Sequence, residues 1–246
     1  MTDLWYDETG AGPPLVLLHE GVVDSRIWAP VVPLLAERHR VIRYDQRGFG
    51  RSPRPDGPYS LVADLVAVLD AAGLESAALA GASRGGNIAL ATAVERPERV
   101  LALILLGSGL PGAQIDAGWT PDQIARWERA EADEDWPAMA ELDMEVWAPM
   151  GADPELRAMF LENAVWSNSE DPATDEPVAE RVSGITAPTL VITAGRDVRG
   201  INEIGDRLAR EIPDARSAVI EEADHMIPWR APEELSHLIL DFLSGR

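Results

Sequence analysis

The sequence predicts a doubly wound α/β domain with a mostly parallel sheet and a helical cap insertion. Three observations predict it. Short, largely apolar runs recur at Pro14–Leu18, Val100–Leu106 and Pro188–Thr193, as strands buried on both faces require. Helical patterns separate these runs at the spacing of βαβ units. The alternation stops between residues 111 and 183, where only helical segments are visible, and then resumes. A chain of 246 residues suits one large domain. Residues 1–110 and 184–246 are expected to form its core and residues 111–183 the insertion.

In order, Leu4-Trp5-Tyr6 reads as a short strand closed by Thr9-Gly10-Ala11-Gly12. Pro14–Leu18 is the first buried strand, followed by His19-Glu20-Gly21. Ser25 is a candidate helix cap, with Pro30 and Pro33 near the first turn. Arg40–Tyr44 is a strand, and Asp45–Ser52 a glycine-rich loop. Ser60 is expected to cap a helix whose apolar face is Leu61, Leu65, Val68 and Leu69, stopped by Gly73. Ala77–Ala80 leads into Gly81-Ala82-Ser83-Arg84-Gly85, and the next helix ends before Pro97. Arg99–Leu106 is a strand. The insertion shows helical patterns at Pro121–Glu131, Pro137–Trp147 and Pro154–Ala164. Pro188–Thr193 and Arg216–Ile220 are the last strands, with a helix near Asn202–Arg210 between them. Glu233–Leu243 is a closing amphipathic helix.

Composition excludes several chemistries. The net charge is −21, which disfavours nucleic acid and anionic membranes as partners. There is no lysine, so Schiff-base chemistry and a Walker lysine are ruled out. There is no cysteine, so thiol nucleophiles, disulfides and thiolate metal sites are ruled out. Four scattered histidines give no support for a metal site. The amino terminus lacks a basic segment followed by an apolar run, and Val100–Leu106 is too short to span a bilayer. A cytoplasmic protein is expected.

The chemistry-bearing stretch is G-x-S-x-G at Gly81–Gly85, set between a strand and a helix. A turn this sharp needs positions without side-chain bulk on either side of the serine. A serine hydroxyl needs a base to become a nucleophile, and the base needs an orienting carboxylate. Parallel strands bring their C-terminal ends to one edge, where ligands bind. Ser83, Asp197 and His225 each follow a predicted strand there. They are the candidate nucleophile, orienting acid and base, in the chain order Ser, Asp, His.

These residues, with Leu17-Leu18-His19, Gly21, the D-x-R-G-x-G-x-S loop at Asp45–Ser52 and Asp224-His225-Met226, resemble the α/β-hydrolase fold superfamily. The likeness covers nearly the whole chain. It is greatest to small serine esterases, lactonases and peroxidase-like members. The resemblance implies an oxyanion hole from the N–H groups of Gly21 and Arg84, with Val22 as the alternative to Gly21. It implies a structural His19. Glu20 departs from the family's usual glycine; a Glu20–Arg84 ion pair and two side chains facing solvent are the alternatives there. Asp224, His39 and His237 are expected to be structural. The loop Gly107–Pro111 holds no carboxylate, which favours Asp197 as the acid.

The resemblance implies hydrolysis of small carboxylic esters or lactones through an acyl-enzyme, with no cofactor. Perhydrolysis, C–C bond hydrolysis and a receptor-like role are the alternatives. The insertion carries 18 acidic residues against 4 arginines, a net of −14, which favours neutral or cationic substrates. Five of eight tryptophans lie in it. Trp119, Trp127, Trp147 and Met226, with Glu20 and Val22, are the expected pocket. A homodimer is left open.

Overall fold

The computed structural model describes residues 2–245. Its sheet runs β1 (Tyr6–Thr9), β3 (Arg40–Tyr44), β2 (Pro14–Leu18), β4 (Ala77–Ala82), β5 (Val100–Leu106), β6 (Thr189–Ala194) and β7 (Ala215–Ile220). All neighbours are parallel except β1, which pairs antiparallel with β3 at the edge. The helices are α1 (Val32–Leu35), α2 (Leu61–Ala71), α3 (Arg84–Glu95), α4 (Pro121–Ala132), α5 (Trp136–Trp147), α6 (Pro154–Ser167), α7 (Arg199–Glu211), α8 (Ile227–Arg230) and α9 (Pro232–Ser244). No helix of the described residues is long and apolar enough to cross a membrane.

The apolar runs become strands because both faces of the sheet are covered. Along β2, Leu15 and Leu17 pack with Val32 and Leu35 of α1 and Leu235, Ile239 and Phe242 of α9. Val16 and Leu18 point the other way, to Leu65, Val68 and Leu69 of α2 and Ile88 and Leu90 of α3. A two-residue side-chain period thus serves two cores. Met144 of α5 and Met159 and Phe160 of α6 join the first core, so the helices between β5 and β6 share their packing with the sheet.

Local signals mostly act as expected. Ser60 accepts a hydrogen bond from Ala63 N–H and caps α2, and Gly73 takes φ +71 just beyond it. Thr120 and Gln123 form a reciprocal capping box on α4. Several expectations need correction. The first strand is Tyr6–Thr9, shifted two to three residues along from Leu4-Trp5-Tyr6. Asp24, not Ser25, caps the 3-10 turn Ser25–Trp28, its carboxylate accepting from Arg26 N–H. On α2 the buried face uses Val62 rather than Leu61. The single turn α8 had no sequence signal of its own length.

The Asp45–Ser52 loop is built on a buried carboxylate. Asp45 accepts from the N–H groups of Ser25 (3.1 Å) and Arg51 (2.9 Å) and pairs with the Arg51 guanidinium. Ser52 Oγ donates to the Asp45 carbonyl at 2.5 Å.

At the turn between β4 and α3, backbone meets backbone. A Cβ on Gly85 would lie 2.3 Å from the Leu18 carbonyl oxygen, and one on Gly81 2.3 Å from that of Gly85. Gly85→Ala should therefore cost about 2 kcal/mol or more, as overpacking against main chain cannot be relieved by a rotamer. Gly57→Ala, where nothing lies within 4 Å, should be within about 0.5 kcal/mol of wild type. The two urea midpoints check this, and equal midpoints would refute it.

Candidate active site

The strand ends bring three segments together. Register pairs Leu18 of β2 with Gly81 of β4, so the loop after β2 lies beside the turn carrying Ser83. Ser83 has φ 51 and ψ −113, a left-handed backbone that few side-chain-bearing residues adopt. Such a conformation costs roughly 1–3 kcal/mol and must be held by its surroundings. The Ser83 N–H donates to Leu106 O at 2.9 Å, and Asn87 N–H donates to Ser83 O at 3.1 Å. Ser83 thereby precedes the first turn of α3, whose N–H groups have no partner within the helix and favour developing negative charge. Arg84 N–H is the first of these donors.

His225 lies after β7 and Asp197 after β6. The His225 Nδ1–H donates to Asp197 Oδ2 at 2.8 Å, and Val198 N–H donates to Asp197 Oδ1 at 2.7 Å. Both side chains are buried. This bond fixes the tautomer and leaves Nε2 of the neutral ring as an acceptor. Burial pulls the His225 pKa down, but the charge and hydrogen bond of Asp197, with Glu20 and Asp224 behind them, leave it above the ordinary 6.5. The Trp147 ring covers the imidazole, with centroids 4.7 Å apart.

A cavity of about 300 Å³ is lined by Ser83 and His225 together with Gly21, Val22, Arg84 and Trp147. Gly21 is pressed against Arg84: a Cβ there would meet Arg84 Cδ at 3.2 Å. The loop after β2 is held by His19, whose Nε2 accepts from Gln46 N–H at 2.9 Å. Its Nδ1 must then carry the proton, and it donates to Glu20 O at 2.7 Å. His19 is structural, as expected. So is Asp224, which pairs with Arg230 at 2.9 Å and accepts from Met226 N–H (3.1 Å) and Met150 N–H (3.2 Å).

Other expected pocket residues are elsewhere. Trp119 and Trp127 pack edge-to-face on each other, 5.0 Å apart, and line no part of this cavity. Trp119, just before α4, and Trp127 on it partner each other, which composition could not reveal. Met226 is fully buried in the core. Trp166, Phe49, Asn87 and Ile115 line the cavity instead. Trp166 was among the insertion's tryptophans, but nothing in sequence separated it from Trp119.

The Glu20–Arg84 pair does not form. The Arg84 guanidinium pairs with Asp171 at 2.6 Å. Glu20 is turned inward and fully buried, and neither carboxylate oxygen meets a donor with hydrogen-bond geometry. Burial is the main cause that pushes its pKa up to about 7, against the pull of its own N–H and of His225. A second buried carboxyl, Asp143 on α5, is likewise pushed up to about 7 by burial, despite hydrogen bonds from Asn168 and Trp147.

A model of the alpha/beta hydrolase fold matches residues 13–232. The chain is 31% identical to a 2-hydroxy-6-oxo-6-phenylhexa-2,4-dienoate hydrolase of Comamonas testosteroni, over 98% of this chain and 91% of that one. Among solved structures it is similar to a thermophilic esterase from Thermogutta terrifontis, with TM-score 0.82, 27% identity, and coverage of 98% and 93%. It is also similar to the enol-lactonase from Burkholderia xenovorans LB400, with TM-score 0.81, 27% identity, and coverage of 98% and 96%.

Glu20 makes a stability prediction. Its folded pKa is raised from 4.5 to about 7, so the folded state keeps a proton that the unfolded state has lost. Its contribution is full below pH 4.5 and disappears as pH rises through 7. Glu20→Gln cannot titrate. Relative to wild type it should gain about 2–3 kcal/mol between pH 5 and pH 8. Denaturant midpoints at the two pH values measure this, and a pH-independent difference would show that Glu20 is ionised throughout.

Proposed function

The chain belongs to the α/β hydrolase fold family, and from that premise we propose a serine hydrolase of small carboxylic esters or lactones that works through an acyl-enzyme. One observation carries the reading. A serine held in a left-handed turn at a helix N-terminus shares a cavity with a histidine that a buried aspartate holds in one tautomer.

In this reading Ser83 Oγ attacks the carbonyl carbon while His225 Nε2 takes its proton. The oxyanion sits near the N–H groups of Arg84 and Gly21, with Val22 the neighbouring donor. His225 returns the proton to the leaving alcohol, and water attacks the acyl-enzyme by the same route. Asp197 orients the imidazole and stabilises its charged form. Trp147 and Trp166 give the acyl or alcohol part an aromatic wall, and the cavity volume of about 300 Å³ suits a small substrate.

The relative named for a dienoate supports a second reading, C–C bond hydrolysis by the same residues. The two readings separate on a panel of activated esters and lactones of varied acyl length run beside a dienoate. The ester reading expects turnover of the former, and turnover of the dienoate alone would replace it with the second.

Ser83→Ala or His225→Ala should lower kcat by roughly 10⁴-fold or more with the fold intact, because the residues act as a unit. Asp197→Asn should also be severely impaired, through a misplaced imidazole. Wild-type activity in an Asp197→Asn variant would mean that the acid is elsewhere.

The pH profile follows from the sign of the His225 shift. The base must be neutral, and its pKa lies above 6.5. kcat/KM should therefore fall on acidification, with its midpoint above pH 6.5. A flat profile from pH 5 to 8 would argue against a histidine base.

A further inference from the structure

Among the described residues that line the cavity, Arg84 supplies the only guanidinium and Asp171 the only carboxylate. They come from different layers. Arg84 opens α3, directly after Ser83, while Asp171 lies just beyond α6. Each nitrogen of the guanidinium has a partner: Nη1 pairs with Asp171 Oδ2 at 2.6 Å, Nε donates to Gln46 Oε1 at 2.9 Å, and Nη2 donates to the Tyr59 hydroxyl at 3.1 Å.

Asp171 is held as firmly. The Tyr59 hydroxyl donates to its Oδ1 at 2.9 Å, and Ala173 N–H donates to the same oxygen at 3.1 Å. A dissolved carboxylate seeking Arg84 would compete with one already ordered by two other donors, and would meet its charge.

The geometry points to Asp171 as the residue that sets charge selectivity: by neutralising Arg84 it reserves the cavity for ligands without a carboxylate. The assignment deepens the ester and lactone reading and rests on it for the identity of the substrates. It separates this cavity from one built for a dienoate, whose carboxylate would need a free cation.

Two substitutions test the pair from opposite sides. Asp171→Asn keeps an amide oxygen for Tyr59 and Ala173 but replaces the Arg84 acceptor with a donor. Arg84 then has an unopposed face toward the cavity. Arg84→Gln keeps the backbone N–H and leaves Asp171 uncompensated. The probes are benzoate and benzamide, which match in shape and differ in charge. Their dissociation constants can be read from the fluorescence of Trp147 and Trp166, which line the cavity.

The expected wild-type protein prefers benzamide at low salt. In Asp171→Asn the preference should move toward benzoate by about tenfold, and in Arg84→Gln away from it by a similar factor. Both shifts should shrink at high salt. An unchanged benzoate-to-benzamide ratio in a folded Asp171→Asn protein would overturn the assignment. Were that variant unable to fold, an unchanged ratio in Arg84→Gln would do the same. Turnover of a neutral ester by the wild-type protein is scored separately. Its absence would count against the hydrolytic reading while leaving the binding result to judge Asp171.

Discussion

The first turn of α3 rests directly on the backbone of β2. There is no layer of side chains between them, because Gly85 stands 2.3 Å, by its missing Cβ, from the Leu18 carbonyl oxygen. Most of the site depends on that contact. It forces the chain to reverse within one residue after β4, and Ser83 takes the strained conformation that results. It sets the orphan N–H groups of α3 beside the loop that leaves β2. The same approach lays Gly21 against the Arg84 side chain, so the two proposed oxyanion donors are brought together by main-chain packing. A catalytic geometry made of backbone is less easily lost to rotamer motion than one made of side chains.

Charge within the site is balanced locally, in a protein whose total charge is −21. Asp197 faces His225, Asp224 faces Arg230, and Asp171 faces Arg84. The exceptions are Glu20 and Asp143, both buried and both pushed up to about 7. Desolvation decides their state, since the hydrogen bonds offered to them are too few to hold a full charge. Glu20 sits next in sequence to the proposed oxyanion loop, and Asp143 one helical turn before Trp147, which covers His225. Proton uptake by Glu20 removes a negative charge that acts on the imidazole.

Much of this was legible in the sequence. Buried strands were visible as apolar runs, and Pro14–Leu18 and Val100–Leu106 fall where the runs place them. Ser60, Gly73 and Gly81–Gly85 carry local stereochemistry that needs no tertiary context. Ser83, Asp197 and His225 could be placed at one edge because parallel topology fixes where strand ends lie. Side-chain direction was not legible. Gly21 lies against Arg84, but Glu20 beside it turns inward and Arg84 turns toward Asp171, a residue 87 positions along the chain from Arg84. Trp119 and Trp166 read alike as aromatic residues in an acidic insertion. Only packing sends the first to Trp127 and the second to the cavity.

The contacts around Asp171 also tie the segment beyond α6 to the core helices. The chain beyond α6 runs beside the approach to α2, where Tyr59 and Ala173 form a parallel bridge. Two residues on, Asp175 accepts from the Ser60 hydroxyl at 2.6 Å and from the N–H groups of Leu61 (2.6 Å) and Val62 (3.1 Å). It thus helps cap a core helix from outside the core. The Leu61 and Val62 N–H groups of α2 take their acceptor from this segment, while Ser60 serves Ala63. Arg84 is tied to the same segment through Asp171, and to the loop after β3 through Gln46, which also donates to His19 O at 2.5 Å. One guanidinium therefore joins the serine turn, the loop after β3 and the segment beyond α6. Displacing that segment would break the Arg84–Asp171 pair and take the Asp175 acceptor away from the Leu61 and Val62 N–H groups.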